Sequence, residues 1–123
     1  MQVIQFKFDN ERPIYLQLVE QLRVAIVSGA YEAGSRLPSV RELAVMAKVN
    51  PNTMQKALTE LESDRLIFTE RTNGKYVTND QRLLAKIKTE LAADLVHNYT
   101  SDMAKIGITY GESIKYLKQL GGQ

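Results

Sequence analysis

Two helix starts stand close together in this chain, at Ser39 and at Asn50, and a hairpin signal, Asn73-Gly74, follows them. That order constrains the fold more than any total does. Ser39 with Glu42 fits S-x-x-E, in which the serine hydroxyl takes a backbone N–H and the glutamate reaches back to the serine N–H. The short helix behind it puts Leu43, Ala44 and Ala47 on one side. Lys48 and Val49 leave room only for a tight link before the next helix begins at Asn50. Two short helices joined this way read as a helix-turn-helix. The stretch LIFTERTNGKYVT then alternates and is rich in β-formers, and Asn-Gly tolerates the positive φ values of a tight hairpin.

Upstream, Pro13 opens a helix with Ile14, Leu18, Leu22 and Ile26 at helical spacing, supported by Val19 and Ala25. Gly29 supplies its C-terminal cap, and Gly34 and Pro38 mark a turn-rich connection. Before it, Phe6 and Phe8 alternate with polar residues, as in a short strand or an ordered arm. Helix, helix-turn-helix, hairpin is the order of a winged helix. The fold class is therefore mainly α with a small β-hairpin (α+β), with a winged helix over residues 1–79 and a helical tail over 80–123.

The helix that starts with VNPNTMQKALTELE has two distinct faces. Asn50 suits the N-cap and Pro51 the first helical position. Met54, Ala57, Leu58 and Leu61 face inward, and Asn52, Gln55, Lys56 and Thr59 face outward. Asn and Gln pair bidentately with adenine, Thr bonds either way or touches a thymine methyl, and open N–H groups at a helix start favour phosphate. Any exposed helix has a polar outer face; the helix before this one and the hairpin behind it favour a helix that reads DNA. Between Arg36 and Lys56, four basic residues (Arg36, Arg41, Lys48, Lys56) face one acidic, Glu42, a local balance of +3 in a chain of +2. Such clustering suits phosphate contact, although any one of these side chains also reads as an ordinary solvated charge. Arg71 and Lys75 flank the hairpin tip, where a wing would meet a DNA backbone or a minor groove.

With these residues in place, the sequence resembles the GntR family of bacterial transcription regulators. The core of the likeness is Gly29, Tyr31, Gly34, Leu37, Pro38, Ser39, Arg41, Glu42, Leu43 and Ala44, within a match over about residues 12–78. The phrases PIYLQLVEQ and VNPNTMQKAL, with the short helical tail, look like the YtrA-like subfamily. That resemblance implies a small homodimeric repressor, of a kind often encoded beside ABC-type transporter genes. It implies that Arg41 touches DNA from the second helix, that Asn50, Asn52, Thr53, Gln55 and Lys56 touch bases or phosphates, and that Arg71 and Gly74 belong to the wing. The expected DNA-binding set is thus Arg36, Ser39, Arg41, Asn50, Asn52, Thr53, Gln55, Lys56, Arg71, Gly74 and Lys75. Two positions depart from the pattern. Arg65 stands where the family usually has Gly, so that turn takes another conformation or a left-handed Arg at some cost. The wing reads Arg71-Thr72-Asn73-Gly74 where the family often has R-G-x-G.

In the tail, Leu84, Ile87, Leu91, Leu95, Tyr99 and Met103 form one long stripe. Gly107 interrupts the helical pattern, and Ile114, Leu117 and Leu120 mark a shorter helix after it. Two helices alone do not enclose a pocket of about 300 Å³, and larger family members carry a ligand-binding domain at this place. The stripe either packs back on its own winged helix or meets a second copy in a symmetric dimer, and a dimer would set two reading helices about one DNA turn apart on a palindrome.

Other function classes lack their residues. Zero cysteines and a single histidine, His97, offer no thiolate, no nucleophile–histidine pair and no familiar zinc set. Glu60, Glu62, Asp64 and Glu70 read as solvated carboxylates, so neither catalysis nor a metal or cofactor is expected. No apolar run approaches the ~18 residues of a membrane span, and MQVIQFKFDN does not read as a signal peptide, so a cytoplasmic protein is expected. The expected partners are double-stranded DNA and a second copy; these residues single out no small-molecule effector. The competing reading is a winged helix used as a protein-interaction or assembly module, which would want apolar or aromatic anchors where this helix shows amides.

Overall fold

The computed structural model describes residues 4–71 and 73–122; the wing position Thr72 lies outside them. The elements run α1 (Ile14–Val27), α2 (Val40–Ala47), α3 (Pro51–Ser63), β1 (Ile67–Glu70), β2 (Gly74–Val77), α4 (Gln81–Lys105) and α5 (Tyr110–Leu120). This is the mainly helical winged helix with a two-helix tail that the sequence predicts. The chain forms two compact units, Met1–Ala85 and Lys86–Gln123.

In the first unit α3 packs on α1, α2 and β1. The helical spacing read from the sequence puts Leu18, Leu22, Leu43, Met54, Leu58 and Leu61 in full burial, joined by Leu66, Ile67 and Val77 from the hairpin. Each such aliphatic side chain contributes roughly 1.5–3 kcal/mol relative to exposure. Ile14, expected with them, is more than a third exposed, at the first position of α1.

The N-terminal arm is ordered without being a strand. Gln17 and Gln21, one turn apart on α1, hold it with their side-chain amides. Gln21 accepts from the Lys7 N–H at 3.0 Å and donates to the Lys7 carbonyl at 2.6 Å. Gln17, only 1% exposed, accepts from the Asp9 N–H and donates to the carbonyls of Asp9 and Arg12. Each glutamine thus presents the donor–acceptor pair of a peptide group to the arm.

Three helices end in the same way. After α2, the N–H of Lys48 bonds to Val45 and that of Val49 to Ala44. After α3, Arg65 bonds to Glu62 and Leu66 to Leu61; after α4, Gly107 bonds to Ala104 and Ile108 to Met103. This pairing caps the last carbonyls and requires one left-handed residue. That residue is Lys48 (φ 58), Arg65 (φ 65) or Gly107 (φ 83). Arg65 therefore takes the left-handed alternative, and buried Leu61 and Leu66 provide the apolar contact that goes with it.

The strands pair antiparallel in the register Ile67↔Val77, Phe68↔Tyr76, Thr69↔Lys75, Glu70↔Gly74. The hairpin forms where Asn73-Gly74 marks it, but not as a two-residue Asn-Gly turn. Asn73 N–H bonds to the Glu70 carbonyl, and of the two residues only Gly74 has positive φ (95). That is the longer hairpin loop, a turn closed by a left-handed glycine. Residues 34–37 run along the other edge of β2: Gly34 N–H bonds to the Val77 carbonyl, Val77 N–H to Ser35, and Leu37 N–H to Lys75, with Arg36 opposite Tyr76.

In the second unit Tyr99 of α4 donates its hydroxyl to the Ser113 carbonyl of α5 at 2.6 Å. Thr109 and Glu112 form a capping box at the start of α5, a T-x-x-E signal that the helical spacing alone does not reveal. Tyr99, Met103, Ile106, Ile108, Tyr116, Leu117 and Leu120 line an apolar groove of about 530 Å³. It is open on one side, which is how two helices come to border so large a volume without enclosing a pocket.

Candidate nucleic-acid interface

The helix-turn-helix builds its outer surface from residues with little to do in the core. Asn50 caps α3 by accepting from the Asn52 N–H at 2.7 Å, and Met54 N–H reaches the Asn50 carbonyl. Pro51 has no N–H to offer. Among residues 51–54, Thr53 alone keeps a backbone N–H without a protein partner among the described residues. The open donors expected at this helix start thus reduce to one, because the cap and the proline account for the others.

Asn52, Gln55, Lys56 and Thr59 are exposed and Thr53 is half-buried, while Met54, Ala57, Leu58 and Leu61 on the opposite face are fully buried. The Gln55 amide leans on the Thr59 hydroxyl at 3.3 Å, a weak bond that leaves its carbonyl end available. Lys56 is drawn aside: its Nζ lies 4.4 Å from the centre of the Tyr15 ring on α1. The Tyr15 hydroxyl donates to Glu60, and burial first, then that carboxylate, holds the phenol above its usual range.

On α2, Ser39 accepts from the Glu42 N–H and Glu42 accepts from the Ser39 N–H, so both partners of the expected capping box are engaged with each other. The Ser39 N–H first, then the Ser39 side chain, and behind them the charge of Arg36, hold the Glu42 carboxyl below its ordinary range. Ser39 therefore serves the helix start first. Arg41, in the first turn, is exposed, as are Arg36, Lys48 and Arg71, and none of these four has an acidic partner within 4 Å among the described residues.

Lys75 differs from them. Strand parity gives it the same face as buried Val77, and its ammonium pairs with Glu62 at the end of α3 and with the Thr69 hydroxyl at 3.0 Å. Its side chain is only 16% exposed. The sequence signalled the charge of Lys75 but not this partner, which requires the register Thr69↔Lys75 to be known. Tyr15, likewise, reads from the sequence only as a helix residue. Arg36 lies beside the wing because residues 34–37 edge β2, a pairing with no local sequence signal.

No described helix is long and apolar enough to cross a membrane. In the tail, Leu84, Ile87, Leu91, Tyr99 and Met103 are half-buried, whereas Leu95 is 70% exposed and no residue of α4 is buried. Ile106 and Leu120, beside the open groove, are 72% and 75% exposed.

Comparison with known proteins fits this geometry. The family described as bacterial regulatory proteins, gntR family, matches residues 14–77, the span from the start of α1 to the end of β2. A GntR family transcriptional regulator from Listeria monocytogenes shares the fold with a TM-score of 0.84 and 43% identity, over 92% of this chain and 99% of that one. The HTH-type transcriptional repressor YtrA of Bacillus subtilis is 31% identical, covering 96% of this chain and 92% of its own. The regulator YhcF of the same organism is also 31% identical, covering 91% and 93%. Helix-turn-helix, wing and tail length agree together, and the chain belongs to the GntR family of DNA-binding transcriptional regulators.

Proposed function

We propose that this chain is a homodimeric repressor that reads a palindromic operator through α3 and α2 and dimerises through its tail. One observation carries the reading: the amides of Asn52 and Gln55 lie exposed on the N-terminal half of a helix whose other face is wholly buried. Amides so placed are the adenine-reading groups of a major-groove helix. Arg41 on α2, and Arg36 and Arg71 near the wing, supply positive charge for the flanking backbone. Ser39, Asn50 and Gly74 set the helix starts and the turn that aim these groups. The uncovered Leu95, Ile106 and Leu120 support a tail that meets a second copy, and YtrA, a relative along nearly the whole chain, is named a repressor. The site of action is the cytoplasm, and transporter genes are the targets the subfamily likeness favours.

Selection of bound sequences from a random DNA pool with the purified protein tests this. A palindrome with half-sites about 10 base pairs apart is the expected product. Recovery of no motif would overturn the sequence-specific reading. The stacked, outward Phe68–Tyr76 pair of the wing, with centroids 5.9 Å apart, would then become the first place to look for a protein partner.

A further inference from the structure

Beside exposed Arg71 at the tip, two further cations border the wing, and the structure treats them oppositely. Lys75 is turned inward by strand parity and neutralised by Glu62. Drawing it out to a phosphate would strip a half-buried carboxylate of its partner and loosen the link between β2 and α3. Arg36 comes from outside the hairpin, on the segment that edges β2, and its side chain lies across the wing tip. A Cβ built on Gly74 would meet its Nε at 3.2 Å and its Nη2 at 3.3 Å. The guanidinium thus rests on the bare α-carbon of Gly74, a position left-handed at φ 95. Arg36 is exposed and has no acidic partner within 4 Å among the described residues; its charge reaches Glu42 only through space.

We propose that Arg36, seated beside Gly74, is a cation with which the wing meets a DNA phosphate, and that Lys75 is instead a positioning residue that acts by fastening the wing to Glu62. This rests on the reading of the wing as a DNA-contacting element and assigns the charge within it. A planar guanidinium laid over a glycine keeps its outer N–H edge for a phosphate. A side chain at residue 74 would crowd it by a few tenths of an ångström, so Gly74 matters chiefly for its left-handed backbone and secondarily for the room it leaves.

The test is the salt dependence of binding to a random-sequence duplex, measured by fluorescence anisotropy over a series of NaCl concentrations. Each neutralised phosphate contributes about 0.9 to the slope of log K against log salt. Arg36→Ala is expected to lower the slope by about 1 and weaken binding several-fold, with an unchanged urea midpoint. Arg36→Lys should restore most of the slope. Lys75→Met should lower the urea midpoint and leave the slope alone. A wild-type slope in Arg36→Ala, or a slope reduced by Lys75→Met and not by Arg36→Ala, overturns the assignment while leaving DNA binding intact. Wild-type protein without salt-dependent binding to the duplex would overturn the DNA-contacting wing itself, and the assignment with it.

Discussion

Tyr15 of α1 engages two opposite charges of α3 at once: its ring lies under the Lys56 ammonium and its hydroxyl bonds to Glu60, one turn further on. The aromatic body and the polar tip of one side chain thus fix α1 against the outer edge of α3. Tyr15→Phe keeps the ring beneath the ammonium and should cost only a few tenths of a kcal/mol. Tyr15→Leu loses both contacts and should cost about 1 kcal/mol. Urea denaturation separates the two; equal losses would mean that the ring–cation contact contributes nothing.

Arg65 holds a left-handed backbone that costs an ordinary residue roughly 1–2 kcal/mol. Glycine removes that strain and adds about 0.5–1 kcal/mol of unfolded-chain freedom. Arg65→Gly should therefore stabilise the protein, by up to about 1 kcal/mol. A lower thermal midpoint for the variant would show that the Arg65 side chain contributes more than its backbone costs.

Gln17 satisfies three backbone groups of the arm from a buried position. Gln17→Leu keeps the bulk and leaves those groups without partners, at about 1–3 kcal/mol. The amide protons of Lys7 and Asp9 should then exchange much faster with solvent, while those of α3 follow the global stability. Unchanged protection of Asp9 would argue against the glutamine as the arm's fastening.

The two capping boxes link stability to acid. Glu42 is held below its ordinary range by the Ser39 bonds and by Arg36, and Glu112 by the Thr109 bonds. A carboxyl depressed in the folded state stabilises at pH values above the usual carboxylate range, and that contribution is lost as pH falls through the depressed value. The stability difference between wild type and Glu42→Gln should thus be largest near neutrality and shrink in acid. A difference that stays constant from neutral pH to below the carboxylate range would count against the box as the cause.

Leu95 tests the tail. At 70% exposure, an Asp there costs the single chain little. In a symmetric interface the same charge would be buried twice. Leu95→Asp should give monomers by sedimentation and weaken binding to a palindrome far more than to a half-site. A variant that remains dimeric would move the interface elsewhere.

The helices of the first unit were legible because periodicity reports burial: the inward set of α3 appears in the sequence as in the fold. The caps at Ser39 and Asn50 were legible because their chemistry is local. The arm was not, since two glutamines mimicking peptide groups resemble any exposed amides until the chain is folded. The same limit hid the Glu62–Lys75 pair and the Arg36–Gly74 contact, which join segments that only strand register brings together. Asn73-Gly74 located the hairpin correctly but pointed to a shorter loop than the one formed, because a local dipeptide does not count the residues its strands leave unpaired.

The Asn50 cap and Pro51 fix where α3 starts and left-handed Arg65 fixes where it ends, which gives it two hard stops. With both ends pinned, the helix behaves as a cassette of fixed length. One inserted residue would turn every following side chain by about 100°, so an insertion at the start of α3 would carry Thr53, Lys56 and Glu60 into the inward positions of Met54, Ala57 and Leu61. On the proposed reading of α3 as the helix that reads DNA, a new sequence preference is reached by exchanging residues along it, not by lengthening it.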